Sequence, residues 1–328
     1  MEIKIKLANN PPKAKPLATF AALKQVKQPL SPLPPEAGES GLQVVLAELD
    51  GLIGLSQVKA MIYEIQAFTE IQKRRAQEAL AAEPTVLHAI FRGNPGSGKT
   101  TMARILARLY KESGILAKGH LIEVERADLV GEFIGHTAQK TKEKVKKALG
   151  GVLFIDEAYS LIRGGEKDFG REAIDALVKA MEDYKTEFVL ILAGYTREMD
   201  QFLRTNPGLS SRLPLHIDFP DYSLQELLAI ADYMYSRRQY RPNGEAWREL
   251  QLRLLKIIEQ NPQNHGNARL IRNIVEASLR AQAVRLVDNE RCDKEDLEEI
   301  RPGDIAKAME KIAFNQERSF KLNNLIYM

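Results

Sequence analysis

The 328-residue chain is 44% hydrophobic and 28% charged, which is typical of a globular protein with one large core or one core plus a smaller domain. Its one cysteine, Cys292, excludes an internal disulfide, and no stretch approaches the roughly 18 apolar residues of a membrane-spanning helix. The N-terminus lacks the long apolar core of a signal peptide, so we expect a cytoplasmic protein.

The net charge of +3 originates near the N-terminus. Residues 1–35 carry six lysines and one acid, which gives +5, so the rest of the chain sums to −2 and nucleic acid is not the expected partner. Seven of the fifteen prolines also precede residue 36. Because proline disrupts helix and sheet hydrogen bonding, residues 1–40 are predicted to be a Pro-rich, Lys-rich disordered arm. It is either a solvated tail or an electrostatic docking arm.

From about Gly41, short apolar runs alternate with segments of helical periodicity. Residues 102–109 and 174–181, for example, place apolar side chains at helical spacing. This alternation predicts an α/β domain over residues 41–221, with a parallel sheet flanked by helices. The predicted strands are residues 86–91, 121–124, 152–155, 188–193 and 215–219.

After Pro220 only helical patterns are expected, at residues 224–231, 250–258 and 270–286. Pro302 suits the first turn of a last helix that is predicted to run through Ile312. We therefore predict a small all-helical domain at residues 222–316, followed by a C-terminal tail at residues 317–328.

A glycine-rich segment after the first predicted strand fits the P-loop pattern G-x-x-x-x-G-K-[ST]. Glycines let such a loop wrap around phosphate oxygens with its backbone N–H groups turned inward, and the following helix N-terminus favours an anion. Lys99 is expected to reach the β- and γ-phosphates of ATP, and the Thr100 hydroxyl to ligate Mg²⁺. The predicted nucleotide contacts are Gly93, Asn94, Pro95, Gly96, Ser97, Gly98, Lys99, Thr100 and Thr101.

Two adjacent acids, Asp156 and Glu157, follow the apolar run at residues 151–155. The run predicts a buried strand, and open α/β sheets bind ligands at the C-terminal edge of their strands. Asp156 is predicted to hold Mg²⁺, directly or through water, and Glu157 to polarise the attacking water as general base. Combined with the P-loop, these acids predict hydrolysis of ATP to ADP and phosphate rather than binding only.

Several segments between residue 49 and about residue 312 carry a family resemblance. They are residues 93–100, 129–138, 152–159, 206–212 and 266–269. These motifs resemble those of AAA+ ATPases in the group that contains stage V sporulation protein K and the red-type Rubisco activases (CbxX/CfqX). Residues 164–170 look closest to the sporulation protein. The resemblance implies a P-loop α/β domain followed by a helical lid domain.

The resemblance also implies roles outside the P-loop. Arg212 resembles the catalytic finger that reaches into the neighbouring subunit's site, with Arg204 as second choice, and a surface arginine capping a helix end is the alternative. Arg269 resembles the arginine that reports nucleotide state to the lid, the alternative being a simple surface residue. Ile53 and Gly54 lie where family members pack the adenine ring, although Ile53 could equally belong to the core.

Two further positions are assigned by resemblance. Family members usually place an asparagine after the fourth strand to orient the attacking water; this chain has none there, and the hydroxyl of Tyr195 or Thr196 is predicted to substitute. Phe133, Ile134 and Gly135 occupy the position of a pore loop, where an exposed aromatic beside a glycine hinge can grip a substrate. The alternative is that Phe133 packs beneath its own loop.

The function that the resemblance implies is a ring-forming motor, typically hexameric, that uses ATP to remodel an unknown protein client, with sporulation as a candidate context. A DNA-directed AAA+ motor or helicase loader is the main alternative, and the −2 charge balance beyond residue 35 counts against it. A small-molecule P-loop kinase and a nucleotide-gated scaffold with negligible turnover are further alternatives. The presence of Glu157 argues against the scaffold.

Overall fold

The computed structural model describes residues 41–81, 85–133, 135–163, 169–287 and 292–326, with side chains described as far as residue 314. The predicted arm at residues 1–40 lies outside the described residues. So do Ile134 of the predicted pore loop and residues 164–168 of the segment that looks closest to the sporulation protein.

A five-stranded sheet forms the centre of the first domain, with strand order β2-β3-β4-β1-β5. Every neighbouring pair in this sheet is parallel, which confirms the predicted α/β fold. The first strand begins at Ala89 rather than at residue 86, and the other strands lie within one residue of the expected positions. The strands are β1 (Ala89–Gly93), β2 (Leu121–Val124), β3 (Val152–Ile155), β4 (Val189–Gly194) and β5 (Leu215–Phe219).

Helices cover both faces of this sheet. They are α1 (Gly41–Gly51), α2 (Ser56–Gln77), α3 (Lys99–Glu112), α4 (Arg126–Leu129), α5 (His136–Ala148), α6 (Gly170–Asp183), α7 (Thr196–Thr205) and α8 (Pro207–Ser210), with a 3₁₀ helix (Ala158–Ile162) after β3. Successive residues of a strand point to opposite faces. In β1, Phe91 packs into the core beneath α1, α2 and α3, and Ile90 packs into the core beneath α4 to α8. Burial on both faces explains why the strands appear as continuous apolar runs.

The second domain consists of helices α9 (Leu224–Ser236), α10 (Gly244–Gln260), α11 (Asn267–Val287), α12 (Lys294–Glu298) and α13 (Pro302–Ile326). Ser223 begins α9 with a capping box, in which its hydroxyl accepts from the Glu226 N–H and the Glu226 carboxylate accepts from the Ser223 N–H. Leu227, Ile271 and Ile305 of this domain belong to the same core cluster as Phe91. The second domain is therefore packed against the first, rather than tethered to it.

Two expectations for the second domain were wrong. Strands were not expected after Pro220, but β6 (Arg241–Pro242) pairs in parallel with β7 (Glu299–Ile300). Two-residue strands are too short to leave a periodic signal in the sequence. The last helix also continues to Ile326, beyond the expected end at Ile312, and so includes residues 317–326 of the predicted tail.

No helix within the described ranges is long and apolar enough to cross a membrane.

His88, immediately before β1, is a buried titratable group with only 1% of its surface exposed. Its Nδ1 accepts the Leu190 N–H at 3.0 Å, and its ring lies 5.3 Å from the Phe188 ring. Burial lowers the pKa of His88 to about 4, below the usual 6.5. The folded chain therefore requires a neutral imidazole at this position.

We predict that stability falls with acidification because of His88. Its folded pKa lies below the unfolded value, so its contribution is complete above pH 6.5 and is lost as the pH falls toward 4. The loss should reach about 3 kcal/mol in the free energy of unfolding. Urea unfolding at several pH values checks this. His88→Asn keeps an acceptor for the Leu190 N–H without the titration, so its pH slope should be shallower; equal slopes would contradict the prediction.

Candidate nucleotide-binding site

The predicted P-loop lies between the C-terminal end of β1 and the first turn of α3. Gly96 and Gly98 have φ angles of 74° and 100°, in the left-handed region that glycine enters without strain. Gly98 precedes α3, so the free N–H groups of the helix face the loop. The Ser97 hydroxyl is buried, and no partner for it was found among the described residues. A loop with these glycines and a free buried hydroxyl fits a phosphate ligand.

Lys99 is the first residue of α3, and its side chain is largely buried. Its Nζ donates to the carbonyl oxygens of Gly93 at 2.8 Å and Asn94 at 2.9 Å. The ammonium is therefore held over the loop that it is predicted to serve. Burial is the largest effect on the pKa of Lys99 and lowers it.

Four charged side chains surround Lys99. The negative charges of Asp156, Asp221 and Glu157 raise its pKa, in that order of strength, and the positive charge of Arg269 lowers it. These side chains come from the end of β3, the connection between the domains and the start of α11. The fold thus brings the acid pair and Arg269 near enough to the P-loop lysine for their charges to affect its pKa.

Glu157 has an unusual backbone conformation, with φ 47° and ψ 44°. A non-glycine residue in the left-handed region costs about 1–2 kcal/mol, and such strain is often found at functional sites. The Glu157 N–H donates to Asp156 Oδ1 at 3.0 Å, and its carbonyl accepts from the Ser160 N–H at 2.7 Å. These bonds hold the turn in place while the Glu157 side chain remains exposed.

Tyr195 and Thr196 follow β4, which lies between β3 and β1 in the sheet. Tyr195 is half-buried; burial and the negative charge of Glu157 raise its pKa. Its ring centroid is 5.7 Å from that of Tyr159, which follows the acid pair. Thr196 is exposed and lines a separate cavity with Arg92 and Asp218. Of the two residues predicted to orient water, Tyr195 is therefore the one close to the acids.

The first turn of α11 contacts the P-loop directly. The Ala268 N–H donates to the Gly96 carbonyl at 3.2 Å. A Cβ on Gly96 would lie 2.7 Å from the Arg269 nitrogen and 2.8 Å from the Gly266 carbonyl oxygen. Arg269 itself is exposed, with its charge acting on both Lys99 and Tyr195. The glycine in the middle of the P-loop is thus needed for lid packing as well as for the conformation of the loop.

Three polar residues at this junction were not identified from the sequence as site residues: Asp221, Tyr222 and Asn267. Asp221 accepts hydrogen bonds from the side-chain amides of Asn94 and Asn267. The Tyr222 hydroxyl donates to the Ser97 carbonyl at 3.4 Å. A signal was available for Asn267, which lies in the motif at residues 266–269. The sequence around Asp221 contains no signal that would identify it as a site residue.

Ile53 and Gly54 lie near the start of the lid rather than within the P-loop. Ile53 is partly buried against the core, and Gly54 is so close to Glu226 that a Cβ would lie 2.3 Å from its Oε1. The next residue, Leu55, approaches the P-loop, because a Cβ on Gly98 would be 3.3 Å from its Cδ1. The structure therefore places this segment beside the P-loop, and its predicted contact with adenine stays a prediction.

Arg212 follows α8 and has a partly buried side chain, 32% exposed. It forms an ion pair with Glu182 of α6 and donates to the Gly208 carbonyl at 2.6 Å. Within one chain this arginine therefore contacts the end of a helix, which was the alternative to a catalytic finger. Its role as a finger stays a prediction. Arg204, the second choice for the finger, is exposed in the last turn of α7.

The predicted pore loop lies between β2 and α5. Phe133 is 62% exposed, and its ring meets the ring of His136 edge-on at 5.4 Å between centroids. Gly135 immediately precedes α5 with φ 81°, and a Cβ added to it would meet open space. The Gly131 N–H donates to the Thr137 hydroxyl at 2.9 Å, which ties the base of the loop to the helix. Phe133 is thus presented to solvent from an anchored loop.

Two sequence profiles divide the chain as the structure does. The profile of the ATPase family associated with various cellular activities (AAA) matches residues 89–221, and that of the AAA lid domain matches residues 223–315. The first range contains the P-loop and both acids, and the second contains Arg269. The chain belongs to the AAA family of ATPases. Nucleotide binding and ATP hydrolysis, predicted from the P-loop and the acids, follow from this membership.

Curated relatives confirm the predicted group. The chain is 52% identical to stage V sporulation protein K of Bacillus subtilis (strain 168) over 272 residues, or 83% of this chain and 84% of that protein. It is 48% identical over 249 residues to protein CbbX of Cereibacter sphaeroides, covering 75% and 80% of the two chains. It is 42% identical over 288 residues to the chloroplastic ribulose bisphosphate carboxylase/oxygenase activase of Cyanidioschyzon merolae (strain NIES-3377 / 10D), covering 87% and 98%.

Solved structures share the fold at low sequence identity. The Thermotoga maritima RuvB Holliday junction branch migration motor matches with a TM-score of 0.52 and 19% identity, over 80% of this chain and 70% of that chain. The FIGL-1 AAA domain matches with a TM-score of 0.55 and 17% identity, over 78% and 80%. At such identities the likeness concerns the fold alone.

We predict that Gly96→Ala weakens ADP binding about tenfold or more. The added methyl group meets backbone atoms of the lid, and a left-handed φ costs a non-glycine residue about 1–2 kcal/mol. Titration calorimetry with ADP measures the effect. Gly303→Ala is the matched control, because a Cβ there meets open space, and it should bind ADP normally. Unchanged affinity in Gly96→Ala would contradict the prediction.

Proposed function

We propose that this ATPase works as a ring-forming motor of six copies, as the family resemblance implies, and that it remodels a protein partner. One observation carries the proposal: the first turn of lid helix α11 bonds the P-loop directly, with the Ala268 N–H donating to the Gly96 carbonyl at 3.2 Å, and it brings Arg269 near Lys99. In such a site, groups from both domains interact with the bound phosphates at the same time. A motor needs this arrangement, because hydrolysis must change the position of one part relative to another.

The proposed hydrolysis uses side chains already assembled around the P-loop. Lys99 exchanges its loop carbonyls for the β- and γ-phosphates of ATP, and Glu157 accepts a proton from the attacking water as general base. Tyr195 holds that water through its hydroxyl, which its position beside Glu157 favours over Thr196. Thr101, exposed in the first turn of α3, adds a further contact to the nucleotide.

Mg²⁺ fits the oxygen ligands at this site. The Thr100 hydroxyl and the Asp156 carboxylate would hold it, and the ion would neutralise charge on the phosphate oxygens. The described residues contain no cluster of three or more His, Cys, Asp or Glu that could bind a metal without help.

In the proposed ring, Arg212 completes the ATP site of the neighbouring subunit. A guanidinium there stabilises the charge that spreads over the γ-phosphate in the transition state. Arg212 lies on the surface and is held by Glu182, which limits the positions that its long side chain can adopt. This pairing supports a finger that is ordered before a second subunit arrives.

The proposed client contact is the loop that carries Phe133, Ile134 and Gly135. Phe133 is 62% exposed on an anchored loop, and a protein client buries this side chain in our proposal. A role in sporulation is supported by the 52% identity to the Bacillus subtilis protein of that name. We also propose that the protein is cytoplasmic. Residues 41–221 and 222–316 are its proposed nucleotide-binding and lid domains.

We predict that Glu157→Gln lowers kcat for ATP hydrolysis about 10²- to 10⁴-fold while ATP binding is little changed. Glutamine keeps the size of the side chain but cannot accept the proton. Phosphate release and calorimetry measure the two quantities. Glu259→Gln, an exposed change on α10, is the matched control and should hydrolyse ATP normally. Normal turnover in Glu157→Gln would remove the general-base role.

The same variant tests the remodelling role. With ATP, Glu157→Gln should hold its client long enough for capture from lysate and identification by mass spectrometry. A Lys99→Ala chain, which lacks the phosphate contact, sets the background. If both chains capture the same proteins, ATP does not control client binding and the motor proposal is wrong.

We predict that Arg212→Ala loses hydrolysis about 10³-fold or more, and that mixing it with Lys99→Ala restores part of the activity. In a mixed ring, about a quarter of the interfaces pair an intact P-loop with an intact finger, so recovery should approach that fraction. A phosphate-release assay on reassembled mixtures measures it. Arg204→Ala is the control and should remain active. No recovery in the mixture, or loss of activity in Arg204→Ala, would contradict the assignment of the finger.

A further inference from the structure

Asp221 lies at the junction of three segments of the chain: the P-loop, the connection between the domains and the start of lid helix α11. It is the second residue after β5 and precedes the cap of α9 by two positions. The Asn94 side-chain amide donates to its two carboxylate oxygens at 3.0 and 2.8 Å. The Asn267 side-chain amide donates to its Oδ1 at 2.6 Å. One carboxylate therefore binds an amide from each domain.

Asn94 and Asn267 are each held by further bonds. Asn94 also donates to the Gln263 carbonyl at 2.5 Å, in the loop that leads to α11. Asn267 is fully buried, and its Oδ1 accepts the Tyr222 N–H at 2.9 Å. Its φ of 48° lies in the left-handed region, which asparagine enters more readily than most non-glycine residues because its side chain can hydrogen-bond locally. We call Asn94, Asp221 and Asn267 the junction cluster.

The lid bonds the outer side of the P-loop as well. The Asn267 amide donates to the Pro95 carbonyl at 3.4 Å, and the Ala268 N–H donates to the Gly96 carbonyl at 3.2 Å. A trans peptide is planar, with its N–H pointing opposite to its carbonyl. Turning these two carbonyls toward the lid therefore turns the N–H groups of Gly96 and Ser97 away from it. In this structure the Ser97 N–H donates to the Asn94 carbonyl within the loop at 3.4 Å. Amides of this loop are the groups expected to bind phosphate.

We propose that the junction cluster makes the lid orient the phosphate-binding amides of the P-loop, with Asp221 as the positioning residue at its centre. The coupling works in both directions, because a contact that favours phosphate binding is itself favoured when phosphate binds. Nucleotide at the P-loop then stabilises one lid position. This inference rests on the proposed motor function, for which it supplies the link between the nucleotide and the movement of the lid.

The test measures ADP affinity and steady-state hydrolysis in the full chain. Asp221→Asn leaves one acceptor oxygen for two amide donors, and Asn267→Gly keeps the left-handed backbone while removing the side chain. Each should weaken ADP binding about tenfold, as expected for lost bonds to a charged group. KM for ATP should rise by a similar factor, with kcat little changed at saturation.

Non-additivity separates the cluster from general destabilisation. The double variant Asp221→Asn/Asn267→Gly should bind ADP about as weakly as either single variant, because both changes disrupt the same unit. Tyr235→Phe is the control. It removes the buried 2.7 Å bond to the Ser278 hydroxyl inside the lid, far along the chain from the P-loop, and should lower the unfolding temperature without weakening ADP binding.

Three results would overturn the inference. They are normal ADP affinity in Asp221→Asn, single effects that multiply in the double variant, and a loss of affinity in Tyr235→Phe equal to that in Asp221→Asn. ADP binding requires neither turnover nor a ring nor a client. Failure of the motor proposal would therefore leave these measurements interpretable, and failure here would leave the motor proposal to its own tests.

Discussion

Parallel pairing of β3, β4 and β1 as neighbours is the constraint on which the site depends. Parallel strands all end at the same edge of a sheet, so the segments that follow these three strands must lie side by side. Those segments carry Asp156 and Glu157, then Tyr195, then the P-loop. The acid pair and the phosphate loop are separated by about 60 residues of sequence, yet this strand order leaves them one strand apart.

A buried lysine at this edge of the sheet needs polar or negatively charged partners for its ammonium group. Removing the Lys99 ammonium from water is unfavourable, and the structure offsets the cost with two loop carbonyls and the nearby acids. Carbonyl oxygens are weaker partners for an ammonium than phosphate is. The site is therefore stable as it stands and still favours a polyanion. The strained turn at Glu157 adds a second cost, and Glu157 is the residue that we propose as the general base.

The lid shares one hydrophobic core with the α/β domain, and the proposed coupling between the lid and the nucleotide site depends on this contact. A lid joined only by a flexible connection would move independently of the P-loop. Here apolar packing supplies the association, while the polar bonds around Asp221 join α11 to the loop and set its angle in our proposal. The packing is non-directional and tolerates small rotations, whereas the hydrogen bonds do not. In our proposal, changes at the phosphates are converted into changes of lid position through these hydrogen bonds.

The sequence by itself determined what depends on short stretches of chain: the five parallel strands, the P-loop, the acid pair and the helical second domain. Apolar runs and glycine positions are local properties, so their backbone consequences can be predicted without knowing the fold. Only the tertiary structure decided which distant side chains meet. Asn94 and Asp221 are 127 residues apart and Asp221 and Asn267 are 46 apart, and no local pattern relates them. The ion pair between Arg212 and Glu182 and the pairing of the two-residue strands β6 and β7 likewise join segments that no local pattern relates. Such contacts follow from the angle at which packed helices and sheets dock, which is set by the whole core rather than by any one segment.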